Sequence, residues 1–411
     1  MRTTLIAMRL AIRNLRRHKR RTTLTVTGLT LGLIVMIVAY AMLDGLTDQG
    51  LDSFVLYETA HLRGYPPGYL DDDIYRSLDR LFDNADSLSQ SIADELGVQT
   101  TVRLNIPGQL IVGREEAFVE IVGVDPIRDR DVFATLDKIS DGEGFGAVEG
   151  MLIGRKLAKD MGLAVGDRAT IFARSAPGAY NSRRLPVIGI LSTGNPKVDG
   201  MSVYLTLTDA QQLALVENAA NELAVLSGRR KDTDRLRETL LENGSDLEWQ
   251  TWEEAAGGFL FMMQFRRITF GVIVLILAMI AAVAVSNTMI MAVHERTREI
   301  GALRAMGFER SMIGHLFLFE GISIGLISGF AAIIIGGLVV LWLNNVGISI
   351  AAYDDIQTGL PISTAFYPSL HLANLVSALI FGLALTALAS LAAVNRAQRG
   401  EVVRALREGQ L

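Results

Sequence analysis

The sequence predicts a multi-pass membrane protein: four transmembrane α-helices, with a large extracytoplasmic α+β domain inserted between helices 1 and 2. Three observations carry this. Four apolar runs each reach the ~20 residues a helix needs to cross ~30 Å of hydrocarbon. Basic residues flank these runs mainly on one side. The long stretch between the first two runs is acidic and mixes strand-like with helix-like patterns.

Composition sets the outer limits. The chain has 411 residues, 50% apolar and 20% charged, with no Cys and a net charge of -5. A mean hydropathy of +0.32 with that many charges requires the apolar residues to be segregated. A disordered chain, a disulfide scaffold and a zinc-thiolate protein are excluded. Mild acidity argues against nucleic acid as a partner.

Residues 1–21 carry eight basic groups and no acid. Leu5, Met8, Ile12 and Leu15 recur at helical spacing, which predicts a cytoplasmic amphipathic helix on the membrane surface rather than a disordered basic tail. The first span is assigned to 22–43. Ala39-Tyr40-Ala41 resembles a signal-peptide cleavage site, but the 20-residue run from Leu24 to Leu43 is long for such a peptide and predicts an uncleaved anchor. Further spans are assigned to 268–293, 312–343 and 372–394. Arg296, Arg298, Arg304 and Arg310 lie between the second and third spans, and Arg396, Arg399, Arg404 and Arg407 follow the fourth. Residues 44–264 hold 21 basic against 36 acidic residues, a net of -15, and the 344–371 loop has no Lys or Arg. The positive-inside rule then places both termini (1–21 and 395–411) and the 294–311 loop in the cytoplasm. It places 44–265 and 344–371 outside. Arg266 and Arg267 are exceptions that fit a helix continuing past the membrane as a stalk.

Within 44–265, helices are expected at Asp86–Leu96, with Asp86 as a possible cap, and near Gly154–Met161, Thr208–Val216 and Asp232–Glu242. Strands are expected at Val98–Leu104, Gln109–Val112, Ala117–Val124, Arg168–Ala173, Leu185–Leu191, Ser202–Leu207 and Glu222–Ser227, with Gly113-Arg114-Glu115-Glu116 as a hairpin turn. This is an α+β pattern without regular βαβ alternation. Residues 174–184 fall between two of these strands and contain Pro177, Gly178, Tyr180, Arg183 and Arg184. Such a stretch is either a contact loop or a solvated turn.

The 294–311 loop is the most informative segment. Ile300, Leu303 and Met306 form an apolar stripe beside Glu295, Arg296, Arg298, Glu299 and Arg304, and Gly307 is a natural stop. A short helix of this kind suits docking into a partner's groove, or it lies on the membrane without one. Gly28 and Gly32 in the first span, and Gly321, Gly325 and Gly329 in the third, allow close helix packing, within one chain or across a dimer. Glu320 is an acid at the cytoplasmic start of the third span. A structural pairing with an arginine of the N-terminal arm or the loop is expected there, in preference to a proton relay.

Sites for chemistry are missing. The dipeptide Gly-Lys does not occur, so no phosphate-binding loop of the G-x-x-x-x-G-K-[ST] kind is present. Gly321-Ile-Ser-Ile-Gly325 matches G-x-S-x-G but sits in a membrane helix. His294-Glu295 would need His at 298 for zinc, and Arg298 stands there. Asp71-Asp72-Asp73 lacks a calcium-loop pattern. No catalytic residue, metal site or directly bound cofactor is expected.

The segments Glu295-Arg-Thr-Arg-Glu-Ile-Gly-Ala-Leu-Arg-Ala-Met-Gly307 and Leu316-Phe-Leu-Phe-Glu-Gly321 resemble the coupling region of FtsX-like ABC permeases, the MacB/LolC/LolE superfamily. Arg13-Asn-Leu-Arg-Arg17 and Glu401-Val-Val-Arg-Ala-Leu-Arg407 are similar to the family's termini, although Gly400 stands where a Pro is common. Gly150–Ala158, Gly162–Arg168, Leu185–Leu191, Asp199–Leu205 and Asp209–Leu213 look like the outer domain of the lipoprotein-releasing branch.

The resemblance implies a second permease chain, identical or paralogous, and two cytoplasmic ATPase subunits that use ATP and magnesium. It implies that Glu295–Met306 sits on the ATPase and that ATP-driven closure moves the outer domain, a mode called mechanotransmission. It further implies a lipoprotein substrate in a lipid membrane, and the 174–184 loop at the place of a hook for a periplasmic carrier. The alternatives within the superfamily are a MacB-like exporter of peptides, toxins or drugs and an FtsX-like regulator of a cell-wall hydrolase. A membrane sensor without an ATPase is a third, for which the short cytoplasmic segments leave little room.

Overall fold

The computed structural model describes residues 13, 17, 19–70, 78–146, 149–296, 301, 302, 305–307, 309–349 and 365–399. The expected amphipathic helix through Leu5, Met8, Ile12 and Leu15, and the tail from residue 400, lie outside them. Contacts divide the chain into a membrane unit (1–47, 263–348 and 367–411) and an inserted unit (48–262 and 349–366).

The first helix, α1 (Lys19–Phe54), passes into a π-helical turn at Val55–Thr59. The chain then forms β1 (Leu62–Tyr65), β2 (Phe82–Asp83), α2 (Ala85–Leu96), β3 (Gln99–Val112), β4 (Glu115–Val124) and α3 (Arg128–Val132). Next come β5 (Ile139–Gly142), β6 (Met151–Gly154), α4 (Arg155–Asp160), β7 (Arg168–Arg174), β8 (Tyr180–Leu191), α5 (Pro196–Met201) and β9 (Ser202–Thr206). The inserted unit continues with α6 (Leu207–Ala214), β10 (Ala219–Ala220), β11 (Glu222–Leu226), α7 (Thr233–Glu242), β12 (Glu248–Thr251) and α8 (Trp252–Ala255). Then follow α9 (Gly257–Glu295), α10 (Arg310–Val346), the short strands β13 (Ile348–Ser349) and β14 (Ala365–Phe366), and α11 (Leu372–Arg399). Among the described residues four helices are long and apolar enough to cross a membrane, namely α1, α9, α10 and α11.

In the membrane unit these helices share one apolar core. Leu33 and Ile37 of α1, Val285 and Met289 of α9, Phe317 and Ile324 of α10, and Ala378 and Leu385 of α11 all lie within it. Lipid supplies no hydrophobic force between helices, so close packing must hold them together. The α10–α11 pair is the tightest. A Cβ at Gly321 would strike Ser390, one at Gly325 would strike Thr386, and one at Gly329 would strike Leu379. Gly28 and Gly32 have nothing within 4 Å of such a Cβ. The two glycine stripes therefore differ: that of α10 is used inside the chain, and that of α1 is left open.

The inserted unit is built on a ten-stranded sheet of order β12-β1-β11-β3-β4-β9-β6-β8-β5, in which β7 pairs with both β3 and β8. That double pairing closes β3, β4, β9, β6, β8 and β7 into a ring. Its filling is aliphatic: Ile106, Leu110, Ile121, Ile153, Ile171 and Val203 are fully buried.

The sequence reading placed two strands where β3 is one. The pairing of β11 with β3 ends at Arg103, and β7 pairing begins at Gly108. Pro107 sits in the gap between the two partners, where a missing N–H costs nothing. Gly108 is needed because a Cβ there would press on Ile121 and the Phe172 carbonyl. Helix α2 starts one residue earlier than expected. Its N-cap is Asn84 and not Asp86, which lies in the first turn where a carboxylate suits the helix dipole. Strands β1, β6 and β12, each four residues long, were not expected from the sequence.

Candidate coupling site

Of the expected coupling residues, Glu295, Arg296 and Met306 are described. Arg298, Glu299, Ile300, Leu303 and Arg304 lie outside the described residues. Glu295 ends α9, and Arg296 follows it. Met306 is exposed and precedes Gly307, whose φ of +91° is a conformation side chains rarely adopt.

A charge cluster lies beside this segment. Glu320 lies nearly three turns into α10, three residues after Phe317, and is only 1% exposed. Arg296 Nη1 donates to its Oε2 at 3.2 Å, and Arg21 Nη2 of α1 donates to its Oε1 at 3.4 Å. Arg21 Nη1 also reaches Glu295 Oε2 at 3.2 Å. Two acids and two arginines thus tie the start of α1 and the end of α9 to α10, beside the 294–311 segment. Both arginine sources weighed for Glu320, the arm and the loop, contribute. Buried Arg296 Nη2 has no partner among the described residues.

A second polar tie closes the opposite end of these helices. Arg267 of α9 lies 3.3 Å from Asp44 of α1, and Asn374 of α11 donates to the same carboxylate at 2.6 Å. This accounts for Arg267, one of the two arginines that broke the charge asymmetry, by pairing it with an acid on the spot. Arg21 and Asp44 are 23 residues apart, roughly 35 Å along a helix, so the two ties bracket a bilayer's ~30 Å hydrocarbon layer.

Inside the inserted unit, the chain leaving α1 is held through its π-helical turn. Tyr57 lies in one buried cluster with Val122, Leu136, Val198 and Tyr204. Glu58 accepts from Asn195 Nδ2 at 2.6 Å, and Asn195 in turn caps α5 by accepting from the N–H groups of Lys197 and Val198. Asp199 accepts from Thr193 and Gly194 in the same turn. Its burial raises its pKa, and those donors work against the rise. Ala60, fully buried, then adopts φ 51°, a strained conformation for a residue with a Cβ. Arg230 bonds Asp52, near the end of α1, at 2.6 Å and lies 5.4 Å over the Trp252 ring of α8. A Cβ on Gly50 would meet the Phe259 ring, so the end of α1 and the start of α9 touch.

Behind this joint, Arg103 of β3 grips Asp129 through two bonds of 2.7 and 3.0 Å and lies 3.3 Å over the Phe133 ring. Burial opposes the guanidinium charge, yet Asp129 holds the Arg103 pKa above its ordinary value.

The expected 174–184 loop is corrected. Strand β8 starts at Tyr180, so only Ser175–Ala179 form the tip, and Tyr180, Arg183 and Arg184 belong to a strand. The antiparallel backbone ladder of β7 and β8 runs out to Arg174 opposite Tyr180. Pro177 is exposed at the tip and Gly178 takes φ +87°. Tyr180 is exposed and stacks on Phe172 at 5.0 Å. Arg183 is held by Asp209 at 2.9 Å and by Glu149, whereas Arg184 is exposed. Sequence reasoning gave Glu320 an arginine of the arm without singling out Arg21, and missed Asp44, Glu58 and Asn195 as partners. The signal available for Arg21 was the need of Glu320 for a cation.

Comparison with known proteins gives this arrangement a family. The family described as FtsX-like permease C-terminal matches residues 271–402, and the MacB-like periplasmic core domain matches residues 22–242. The lipoprotein-releasing system transmembrane protein LolC of Neisseria meningitidis is 24% identical over 366 residues, 84% of each chain. LolE of Haemophilus influenzae is 22% identical over 385 residues, 90% of each chain. The macrolide export ATP-binding/permease protein MacB of Escherichia coli is 25% identical over 79% of this chain, which spans half of that protein's length. The solved periplasmic region of MacB from Actinobacillus actinomycetemcomitans, 14% identical, covers 50% of this chain and 95% of its own with a TM-score of 0.36. The chain belongs to the FtsX-like permeases with a MacB-like periplasmic core domain, the superfamily of MacB, LolC and LolE.

Proposed function

We propose that this chain is the permease subunit of an ABC complex that releases lipoproteins from the outer leaflet of the bacterial inner membrane. The observation that carries the reading is the likeness to LolC across 84% of both chains. In this reading the termini and the 294–311 segment face the cytoplasm and the inserted unit faces the periplasm, as the flanking arginines favour.

The division of labour follows from the residues. In this reading ATP and magnesium are handled by two copies of a separate ATPase, in keeping with the lack of a Gly-Lys dipeptide in this sequence. Glu295, Arg296, Arg298, Glu299, Ile300, Leu303, Arg304 and Met306 form the docking segment for it. Motion there reaches α1, α9 and α10 through the Arg21–Glu295–Glu320–Arg296 cluster. A second permease chain completes the complex, with Gly28 and Gly32 available for the contact. Pro177, Gly178, Tyr180 and Arg184 offer a hairpin tip to a periplasmic carrier, while Arg183 shapes it from within.

The test is purification with the ATPase in mild detergent and ATP turnover measured with and without a triacylated lipoprotein. Stimulation by the lipoprotein, lost in a variant with Arg298→Glu and Glu299→Arg, is the expected result. An ATPase bound equally well by that variant would remove the coupling assignment. Stimulation by peptides or macrolides and not by lipoprotein would favour a MacB-like exporter.

A further inference from the structure

The basic end of the membrane unit contains a feature that the coupling reading does not use. A cavity of about 790 Å³ lies between α1 and α9. Arg17, Lys19, Arg20 and Arg21 line it from one side, and Asn287, Thr288, Met291 and Glu295 from the other. The one acid, Glu295, is already paired with Arg21. That leaves Lys19 and Arg20 on the wall as two cations without an acidic partner among the described residues.

We propose that this cavity binds the headgroup of an anionic phospholipid. Four observations converge on that class. First, the charge selects an anion, and basic hollows between membrane helices are where acidic headgroups settle. Lys19 and Arg20 have no counter-ion among the described residues. Second, Asn287 is an exposed amide about two turns inside the end of α9, without a hydrogen-bond partner among the described residues. A bare amide is costly beside hydrocarbon. A phosphate or glycerol ester at that depth would accept from it. Third, from Asn287 to Glu295 the α9 wall rises about 12 Å, the depth of a headgroup and its glycerol. Fourth, apolar surface continues from the cationic wall: Leu24, one turn after Arg20, is 76% exposed, and Met291 is 58% exposed. An anion with acyl chains satisfies both parts of this surface. A free phosphate uses only the first. The proposal needs only the membrane location of α1 and α9 and stands whether or not the substrate is a lipoprotein.

The test uses the full chain in mild detergent and native mass spectrometry. Phosphatidylglycerol and phosphatidylcholine of equal chain length are the probes. One phosphatidylglycerol retained per chain, at least fivefold over phosphatidylcholine, is expected. Lys19→Gln with Arg20→Gln should cut that retention about 25-fold, at about fivefold per basic group. Lys19→Arg with Arg20→Lys should keep it, and Asn287→Leu should lower it without changing the folded state. Equal retention of both lipids, or no change in the double Gln variant, would overturn the site. So would displacement of the lipid by millimolar inorganic phosphate, which marks a plain anion site. The chain has no Cys, so Leu24→Cys gives a single label. Quantitative cross-linking of two copies through it in native membranes would put a second chain in the cavity and exclude the lipid.

Discussion

Arg296 lies 3.2 Å from Glu320, with the two side chains 5% and 1% exposed. The pair joins the residue that follows α9 to the interior of α10, so it spans the segment where a partner would push. Buried ion pairs give little net stability, but removing one partner leaves a bare charge behind. Here the acid serves two cations, Arg296 and Arg21.

Glu320→Gln should therefore destabilise the membrane unit by about 3–5 kcal/mol. Glu320→Asp, which keeps the charge, should lose less. Thermal unfolding of the full chain in detergent measures both. If the pair also transmits force, Glu320→Asp should still bind the ATPase while lowering substrate-stimulated turnover. Equal unfolding of wild type and Glu320→Gln would show that the cluster is not held in the folded protein.

Much of this was legible in the sequence, for reasons that differ by element. The four spans show because long charge-free runs have few other uses. The need of Glu320 for a cation shows because an acid in a membrane helix must be paired. The identity of the cations does not, since Arg21 is 299 residues away and no local rule selects it. The continuity of β3 is hidden for a similar reason: Pro107-Gly108 reads as a break, and only the change of partner from β11 to β7 makes it tolerable. Strand β6 escapes because Met151–Gly154 is buried on both faces and shows no alternation. The 174–184 stretch reads as a loop because Arg183-Arg184 look solvated, yet Asp209 and Glu149 hold Arg183 in the sheet.

The glycine stripes make opposite predictions. A Cβ at Gly325 would press on Thr386 and on the α11 backbone, so Gly325→Val overpacks the α10–α11 seam. A loss of about 1–3 kcal/mol is expected. Gly28 has open space, so Gly28→Leu should leave the unfolding of a single chain unchanged. If α1 forms the contact with a second permease chain, Gly28→Leu should instead lower the dimer fraction in size-exclusion chromatography with light scattering. A fall in chain stability for Gly28→Leu, with the dimer fraction unchanged, would contradict both parts.

The joint between α1 and the inserted unit should respond to pH through His61. It follows strained Ala60, is 8% exposed, and has Nδ1 2.8 Å from Ser227 Oγ. Burial holds its pKa below the ordinary imidazole value; the bond with Ser227 works the other way, and Arg230 adds to the depression. The folded state thus binds this proton less readily than the unfolded chain. The stabilising contribution is full above the unfolded value of about 6.5 and is lost as the pH falls below it. One proton sets the ceiling, about 1.4 kcal/mol per pH unit, until the folded pKa is reached. The unfolding midpoint of the full chain in detergent should drop further between pH 7.5 and 5.5 in wild type than in His61→Gln. The other four histidines are common to both proteins and cancel in that difference. Identical pH profiles would mean that His61 takes up its proton without disturbing the joint.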